Sequence, residues 1–134
     1  EDVVKSNTTG NKSSIVNIIK KEELLNYQNL INNVPASDNI IDFAVRFVHN
    51  TRPQDSKQNI TKKYISWGAG PRASSFLVLA AKAKAVLYGK ATPDIDDVKS
   101  IIKSTLRHRI ILNFNAEAEG ITTDDVLDEL MKEN

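Results

Sequence analysis

Apolar residues recur three and four positions apart in five stretches of the chain, which is the spacing of helices that bury one face. These stretches predict helices over residues 21–33, 38–49, 71–88, 92–106 and 122–131, with one or two further helical turns over 62–67. The helix over 71–88 carries the most apolar residues, so we expect it to be the most buried helix, and the turns over 62–67 should deliver Trp67 to the core. The pattern predicts an all-α fold, a small helical bundle.

Residues with strong preferences for helix ends stand where the periodic runs begin and stop. The start signals are Ser37 with Asp38, Thr92 with Pro93, and Thr122 with Thr123. Gly89 follows the helix over 71–88 in the usual C′ position. The aspartates within 94–97 and 124–128 come directly after such signals and lack the glycine-containing loop of a calcium site. We therefore interpret them as acids that stabilise helix N-termini.

Two segments fall outside the helical periodicity. Residues 1–20 are rich in Asn, Ser, Thr and Lys and predict a flexible lead-in to a folded domain over 21–134. Residues 109–114 alternate only loosely and fit either a small strand or a helical continuation. If they are extended, they could pair with the short apolar patch Val16–Ile19, which would add one short two-stranded β ribbon to the bundle.

The composition is that of one soluble globular domain of 134 residues, with 40% apolar and 26% charged residues. Without cysteine neither a disulfide nor a thiolate metal site can form, and two histidines are too few to predict a zinc site. No apolar run reaches the length of a membrane span. We expect a cytoplasmic protein, and the start at Glu1 instead of Met suggests a piece of a larger one.

The net charge of +1 is unevenly distributed. Residues 57–109 contain eleven Lys and Arg against three acids, whereas residues 117–134 contain seven acids against one lysine. This asymmetry raises the alternative of a helical interaction module that binds nucleic acid or an acidic protein. No run of five basic residues occurs and no aromatic residues interleave with the basic ones, so binding to nucleic acid is disfavoured.

The candidate chemistry lies in a glycine-flanked turn that opens onto the helix over 71–88. Its sequence is Trp67-Gly68-Ala69-Gly70-Pro71-Arg72-Ala73-Ser74. Pro71 suits the first helical position, and Gly68 and Gly70 allow a sharp turn that passes close to a ligand. A helix N-terminus beside the Arg72 guanidinium suits an anion such as phosphate. The alternative interpretation is that the glycines and proline form an ordinary loop before a helix and that Arg72 is a solvated surface residue.

Motifs for self-contained catalysis are missing from the sequence. There is no phosphate-binding loop, and the Gly89-Lys90 pair lies at a helix end. His49 and His108 have no recognisable nucleophile motif beside them, so an independent small enzyme is disfavoured. His108 lies between Arg107 and Arg109, where it could make structural hydrogen bonds at the edge of the bundle or join a polar cluster with a partner domain.

Several segments over residues 21–134 together resemble the C-terminal lid of MoxR-type AAA+ ATPases, and they occur in that family's order. They are Thr51-Arg52-Pro53, the turn over 67–74, Leu79-Ala80-Ala81-Lys82-Ala83, Leu106-Arg107-His108-Arg109-Ile110 and Ala116-Glu117-Ala118-Glu119-Gly120. The glycine-proline-arginine turn followed by Leu-Arg-His-Arg at this distance makes the resemblance specific.

The resemblance implies that Arg72 is the sensor 2 residue, which reaches the terminal phosphate of ATP bound with Mg²⁺ by an ATPase core absent from this chain. Residues 1–20 would be the linker from that core. The resemblance also implies a hexameric ring, a chaperone-like remodelling function and partners with a von Willebrand factor A domain. The ATPase core contacted by Arg72 could belong to the same subunit or to the neighbouring one, and the resemblance favours the neighbouring subunit.

Overall fold

The computed structural model describes residues 16–133. In order, the helices are α1 (Lys21–Asn33), α2 (Asp38–Asn50), α3 (Asn59–Tyr64), α4 (Arg72–Leu87), α5 (Ile95–Leu106), α6 (Phe114–Ala118) and α7 (Thr123–Glu133). Strand β1 (Ile65–Trp67) lies between α3 and α4; a 3-10 turn (Arg107–Arg109) and strand β2 (Ile111–Leu112) lie between α5 and α6. The predicted all-α bundle with one small ribbon is confirmed.

The core lies between α2, α4 and α5, and α7 closes one end of it. Its largest fully buried apolar side chains are Phe47, Val48, Leu77, Val98, Ile102, Leu106, Val126, Leu127 and Leu130. They come from α2, α4, α5 and α7, each of which supplies an apolar stripe at helical spacing. Burial of these stripes against one another holds the bundle together.

Reciprocal side-chain bonds fix the starts of α5 and α7. At α5, Asp94 accepts from the Asp97 N–H at 2.8 Å, and the Asp97 carboxylate accepts from the Asp94 N–H at 3.1 Å. The cap of α5 is therefore Asp94, and the predicted capping role of Thr92 is wrong because the helix begins at Ile95. At α7, Thr122 and Asp125 exchange the same pair of bonds, as the sequence predicts.

The end of α4 is tied to the start of α5. Gly89 adopts a φ of 69°, which confirms its predicted C′ role. Lys90 then bonds Asp94 at 2.8 Å and the buried Asp97 at 3.0 Å. These aspartates therefore serve helix starts and ion pairs, in agreement with their interpretation as structural acids.

The prediction that α4 is the most buried helix is wrong. Four of its residues are buried, Ala73, Leu77, Ala81 and Ala85, whereas the shorter α2 buries five. Phe76 is 46% exposed and Leu87 is 83% exposed. Apart from Leu77, the buried face of α4 consists of small alanines that let it approach α5 closely, and other large apolar side chains such as Phe76 and Leu87 lie outside the core.

The ribbon forms from different segments than expected. β1 and β2 pair antiparallel, with Ile65 opposite Leu112 and Trp67 opposite Ile111. The pairing of 109–114 with Val16–Ile19 is therefore wrong, because the edge of β2 meets β1 and residues 16–20 contain no strand. Trp67 is also not delivered to the core: only Ile65 of β1 turns inward, and Trp67 is 67% exposed.

Helix α1 begins at Lys21 as predicted but buries none of its residues. Its apolar residues Leu24, Leu25 and Leu30 are each about half exposed, although α1 does lie against α4. Within residues 16–133 no helix has the length and apolar character needed to cross a membrane. The predicted lead-in falls mostly on residues 1–15, outside the described residues.

Candidate functional site

The predicted turn connects the ribbon to α4. β1 ends at Trp67, residues 68–71 form the turn, and Arg72 is the first residue of α4. Pro71 already has helical angles (φ −56°, ψ −35°), consistent with its predicted place at the helix start. The Ala73 N–H donates to the Gly70 carbonyl at 3.0 Å and the Ser74 N–H donates to the Pro71 carbonyl at 3.1 Å. The first turn of α4 therefore continues directly from the glycine turn.

Arg72 projects from this turn without a partner. Its side chain is exposed, and within residues 16–133 it makes no hydrogen bond or ion pair. The first turn of α4 contains no acid, and no side chain caps it. By contrast, α5 carries Asp96 and Asp97 in its first turn. The start of α4 thus carries no acid or capping side chain, and the Arg72 guanidinium beside it is free to meet an anion from outside the described residues.

The two glycines of the turn serve different purposes. A Cβ on Gly68 would lie 2.3 Å from the Thr51 carbonyl oxygen, so this position must be glycine for the turn to pack against the end of α2. A Cβ on Gly70 would meet nothing within 4 Å. Neither glycine adopts a positive φ. The expected sharp turn therefore depends on close packing at Gly68, and Gly70 leaves the outer side of the turn open.

Thr51 and Arg52 hold the turn in place. The Thr51 hydroxyl accepts from the Ala69 N–H at 3.0 Å and donates to the Val48 carbonyl at 2.7 Å. Arg52 Nε donates to the Ala69 carbonyl at 2.9 Å. Ala69 and Thr51 are fully buried, so these bonds satisfy polar groups that water does not reach. Sequence reasoning placed Thr51 and Arg52 in a family motif and assigned them no role in the site.

A small cavity opens beside the turn. It has a volume of about 200 Å³ and is lined by Arg52, Gln54 and residues 67–71. Arg52 faces it with a side chain that is 27% exposed, and Arg52 Nη1 lies 3.8 Å from Asp55 Oδ2. The cavity therefore adjoins the start of α4 and has a second guanidinium in its wall.

Comparison with known proteins decides the family. The family model described as the AAA lid domain matches residues 57–130, more than half of the chain. The chain belongs to the AAA lid domain family. The match includes the turn, Arg72 and the helices α4 and α5, while Thr51 and Arg52 lie just before it.

The relatives of this lid include a MoxR chaperone. It is 31% identical over 116 residues to the chaperone MoxR1 of Mycobacterium tuberculosis, an alignment covering 86% of this chain and 31% of MoxR1. It is 33% identical over 114 residues to the uncharacterized protein YeaC of Bacillus subtilis, covering 85% of this chain and 33% of YeaC. The chain thus spans about a third of the length of these curated relatives. The predicted identity, a lid of the MoxR type, is confirmed.

A solved structure shares the fold of the lid. The crystal structure of a candidate ATPase from Cytophaga hutchinsonii superimposes with a TM-score of 0.82 at 30% identity, covering 99% of this chain and 41% of that one. The helical arrangement around the turn is therefore that of a domain within a longer protein of that kind.

The Arg107-His108-Arg109 cluster of the lid is mostly structural. Arg107 pairs with Asp124 at 3.0 Å, and the Arg109 guanidinium lies 4.8 Å from the centre of the Phe76 ring. The His108 side chain is exposed and, in the described part of the chain, makes no hydrogen bond, so its expected hydrogen-bonding role is not seen. Phe76 follows Arg72 by one helical turn, which places Arg109 over the side of α4 that carries Arg72.

Three ion pairs join the basic middle of the lid to its acidic end. Lys63 pairs with Glu119, Lys103 with Asp128 and Arg107 with Asp124, so the basic middle meets the acidic tail. Within residues 16–133 no group of three or more His, Asp or Glu is arranged to hold a metal ion.

Proposed function

We propose that this lid supplies Arg72 as the sensor 2 residue of a MoxR-like AAA+ ATPase. Arg72 would contact the terminal phosphate of ATP bound by an ATPase core outside these 134 residues. The observation that carries the proposal is the unpaired Arg72 guanidinium at a helix start without an acid or a side-chain cap. The relationship to the chaperone MoxR1 supports it.

The turn fits a phosphate group and does not fit the accompanying metal. Gly68, Gly70 and Pro71 present backbone close to Arg72 with no side chain over the outer face of Gly70. Among the described residues, the cavity beside the turn is lined by no acid, and Asp55, which contacts Arg52 in its wall, is paired with Arg52 and His49. We therefore assign Gly68, Gly70, Pro71 and Arg72 to the phosphate contact, and Mg²⁺ to carboxylates of the core.

The consequence is a coupling between nucleotide state and lid position. While the terminal phosphate is present, charge-assisted hydrogen bonds from Arg72 hold the lid against the nucleotide. When hydrolysis removes that phosphate, the bonds that favour the closed position are lost and the lid is released. Arg72 thus senses whether ATP has been cleaved.

The proposal extends to the assembly around the lid. We propose that the complete protein forms a hexameric ring in the cytoplasm, that Arg72 serves the core of the same or the neighbouring subunit, and that the ring remodels proteins together with von Willebrand factor A domain partners. The family relationship and the chaperone name of MoxR1 support this extension.

The first test is the ATPase rate of the complete protein carrying Arg72→Ala. We expect turnover to fall by about 10- to 100-fold, since loss of a charged hydrogen bond to a phosphate costs on the order of 1.5–3 kcal/mol. The matched control is Arg46→Ala, because Arg46 is also exposed and unpaired in the described residues but lies on α2. Equal turnover in the Arg72 variant, the control and the wild type would overturn the proposal.

A further inference from the structure

The peptide groups on either side of Ala69 are hydrogen-bonded to the side chains of Thr51 and Arg52, two consecutive residues that directly follow α2. The Thr51 hydroxyl accepts from the Ala69 N–H at 3.0 Å, and Arg52 Nε donates to the Ala69 carbonyl at 2.9 Å. These contacts reach 18 and 17 residues along the chain, so they tie the turn to a separate helix. We name Thr51 and Arg52 the clamp.

The clamp is itself firmly held. The Thr51 hydroxyl and N–H both donate to the Val48 carbonyl in the last turn of α2, at 2.7 and 3.1 Å. The Arg52 carbonyl accepts from the N–H groups of Asp55 and Ser56 at 3.1 and 2.9 Å. Gly68 packs directly against the Thr51 carbonyl. The turn therefore cannot move independently of α2 while these contacts last.

Only Gly70 and Pro71 separate Ala69 from Arg72. The ring of Pro71 fixes its φ, and the Gly70 carbonyl accepts from the Ala73 N–H at 3.0 Å, so both residues are restrained between the clamped Ala69 and the start of α4. Resting on the proposed function of Arg72, we propose that Arg52, with Thr51, is a positioning residue that sets the direction in which Arg72 meets the terminal phosphate. Arg52 acts through Arg72 and is not itself the phosphate contact.

Non-additivity follows from this assignment. A residue that acts only by orienting Arg72 has no further effect once the Arg72 guanidinium is gone. If Arg52 instead bound the phosphate through the adjoining cavity, its loss would weaken the enzyme in both backgrounds. The double variant therefore separates positioning from direct contact.

The enzymatic test compares ATP turnover of the complete protein in four forms: wild type, Arg52→Gln, Arg72→Ala and the double variant. We expect Arg52→Gln to lower kcat by about tenfold, and the double variant to equal Arg72→Ala. Arg46→Gln, on α2 six residues before Arg52 and without a partner in the described residues, is the control and should match the wild type.

The structural test uses the 134-residue chain and amide hydrogen exchange. Thr51→Val keeps the shape of the side chain but removes the acceptor of the Ala69 N–H, so we expect this amide to exchange about tenfold faster while that of Leu77 is unchanged. Thr51→Ser keeps the hydroxyl and should restore protection. This measurement needs no ATP and does not depend on the function of Arg72.

The outcomes are distinguishable. Loss of activity in Arg72→Ala with normal activity in Arg52→Gln, or a further loss in the double variant, overturns the positioning role and leaves the sensor assignment intact. Normal activity in Arg72→Ala overturns the sensor assignment and the positioning role with it. Unchanged Ala69 exchange in both Thr51→Val and Arg52→Gln shows that the clamp does not hold the turn, and overturns the inference by itself.

Discussion

Gly68 is the residue at which the turn tolerates least change. An added Cβ would meet the Thr51 carbonyl oxygen at 2.3 Å, the Thr51 carbonyl carbon at 2.6 Å and the Arg52 Cα at 2.8 Å, all of them backbone atoms. We expect Gly68→Ala to lower the free energy of unfolding of the 134-residue chain by about 1–3 kcal/mol, the usual cost of overpacking. Urea unfolding measures it, and an unchanged midpoint would show that the turn is not packed against α2 as described.

Gly70 is expected to behave differently because its outer side is open. A Cβ there meets nothing within 4 Å and the φ is not positive, so Gly70→Ala should leave the unfolding free energy within about 0.5 kcal/mol of the wild type. In the complete protein, the proposed phosphate contact would place the same methyl group between the turn and the phosphate, and on that proposal we expect a higher KM for ATP. A loss of stability without a change in KM would contradict both expectations.

At the scale of elements, α4 divides its apolar residues between a buried face and an open one. Leu77 is fully buried, whereas Leu87 is 83% exposed near the end of the same helix. Leu77→Ala should therefore cost about 2–5 kcal/mol of unfolding free energy, and Leu87→Ala should change it by less than about 0.5 kcal/mol. Comparable losses in the two variants, measured by urea unfolding, would mean that the helix is buried on both sides.

The same helix shows what sequence patterns can and cannot predict. The extents of α1, α2 and α4 and the end of α5 follow from periodic runs and flanking end signals, which are local properties of the chain, whereas the start of α5 does not. The buried face of α4 cannot be predicted in this way, because apolar residues occur around most of the circumference of the helix. Packing against α5 selects the face that carries the alanines. The pairing of β1 with β2 could not be predicted for a related reason. Strands of three and two residues are too short to show the alternation of apolar and polar residues that marks a strand.

The candidate site also has one part that local sequence patterns indicate and one part that depends on packing between distant segments. Arg72 stands out through the glycine, proline and helix-start signals beside it, all within a few residues, but only the family resemblance turned those signals into a prediction of its role. The contacts of Thr51 and Arg52 with Ala69 join positions 17 and 18 residues apart, and no local pattern records that those side chains face the turn. The motif Thr51-Arg52-Pro53 was visible, but its role depends on how α2 and the ribbon pack together.

At the scale of the whole molecule, ion pairs join the basic middle of the chain to its acidic end, and one of these pairs gives a pH dependence. Glu119 accepts hydrogen bonds from the Tyr64 hydroxyl at 2.6 Å and from Lys63 Nζ at 3.0 Å. The bonds from Tyr64 and then Lys63 hold the pKa of Glu119 below its ordinary 4.5, and the pKa of Lys63 is raised by the same cluster. Because the folded state favours the charged carboxylate, its contribution to stability is present above pH 4.5 and is lost as the pH falls through the lowered pKa.

Glu119→Gln tests this linkage, because glutamine has the shape of the protonated acid and cannot ionise. We expect the variant to unfold at lower urea concentration than the wild type at pH 7, and the two midpoints to converge as the pH is lowered below 4.5, where the wild-type carboxylate also becomes neutral. Glu117→Gln is the matched control, since Glu117 is exposed two residues away and makes no side-chain bond in the described residues. If the urea midpoints of wild type and Glu119→Gln still differed at low pH, the difference would arise from the geometry of the side chain and not from its charge. The ion pair between Lys63 and Glu119 would then not contribute to holding α3 against the end of α6.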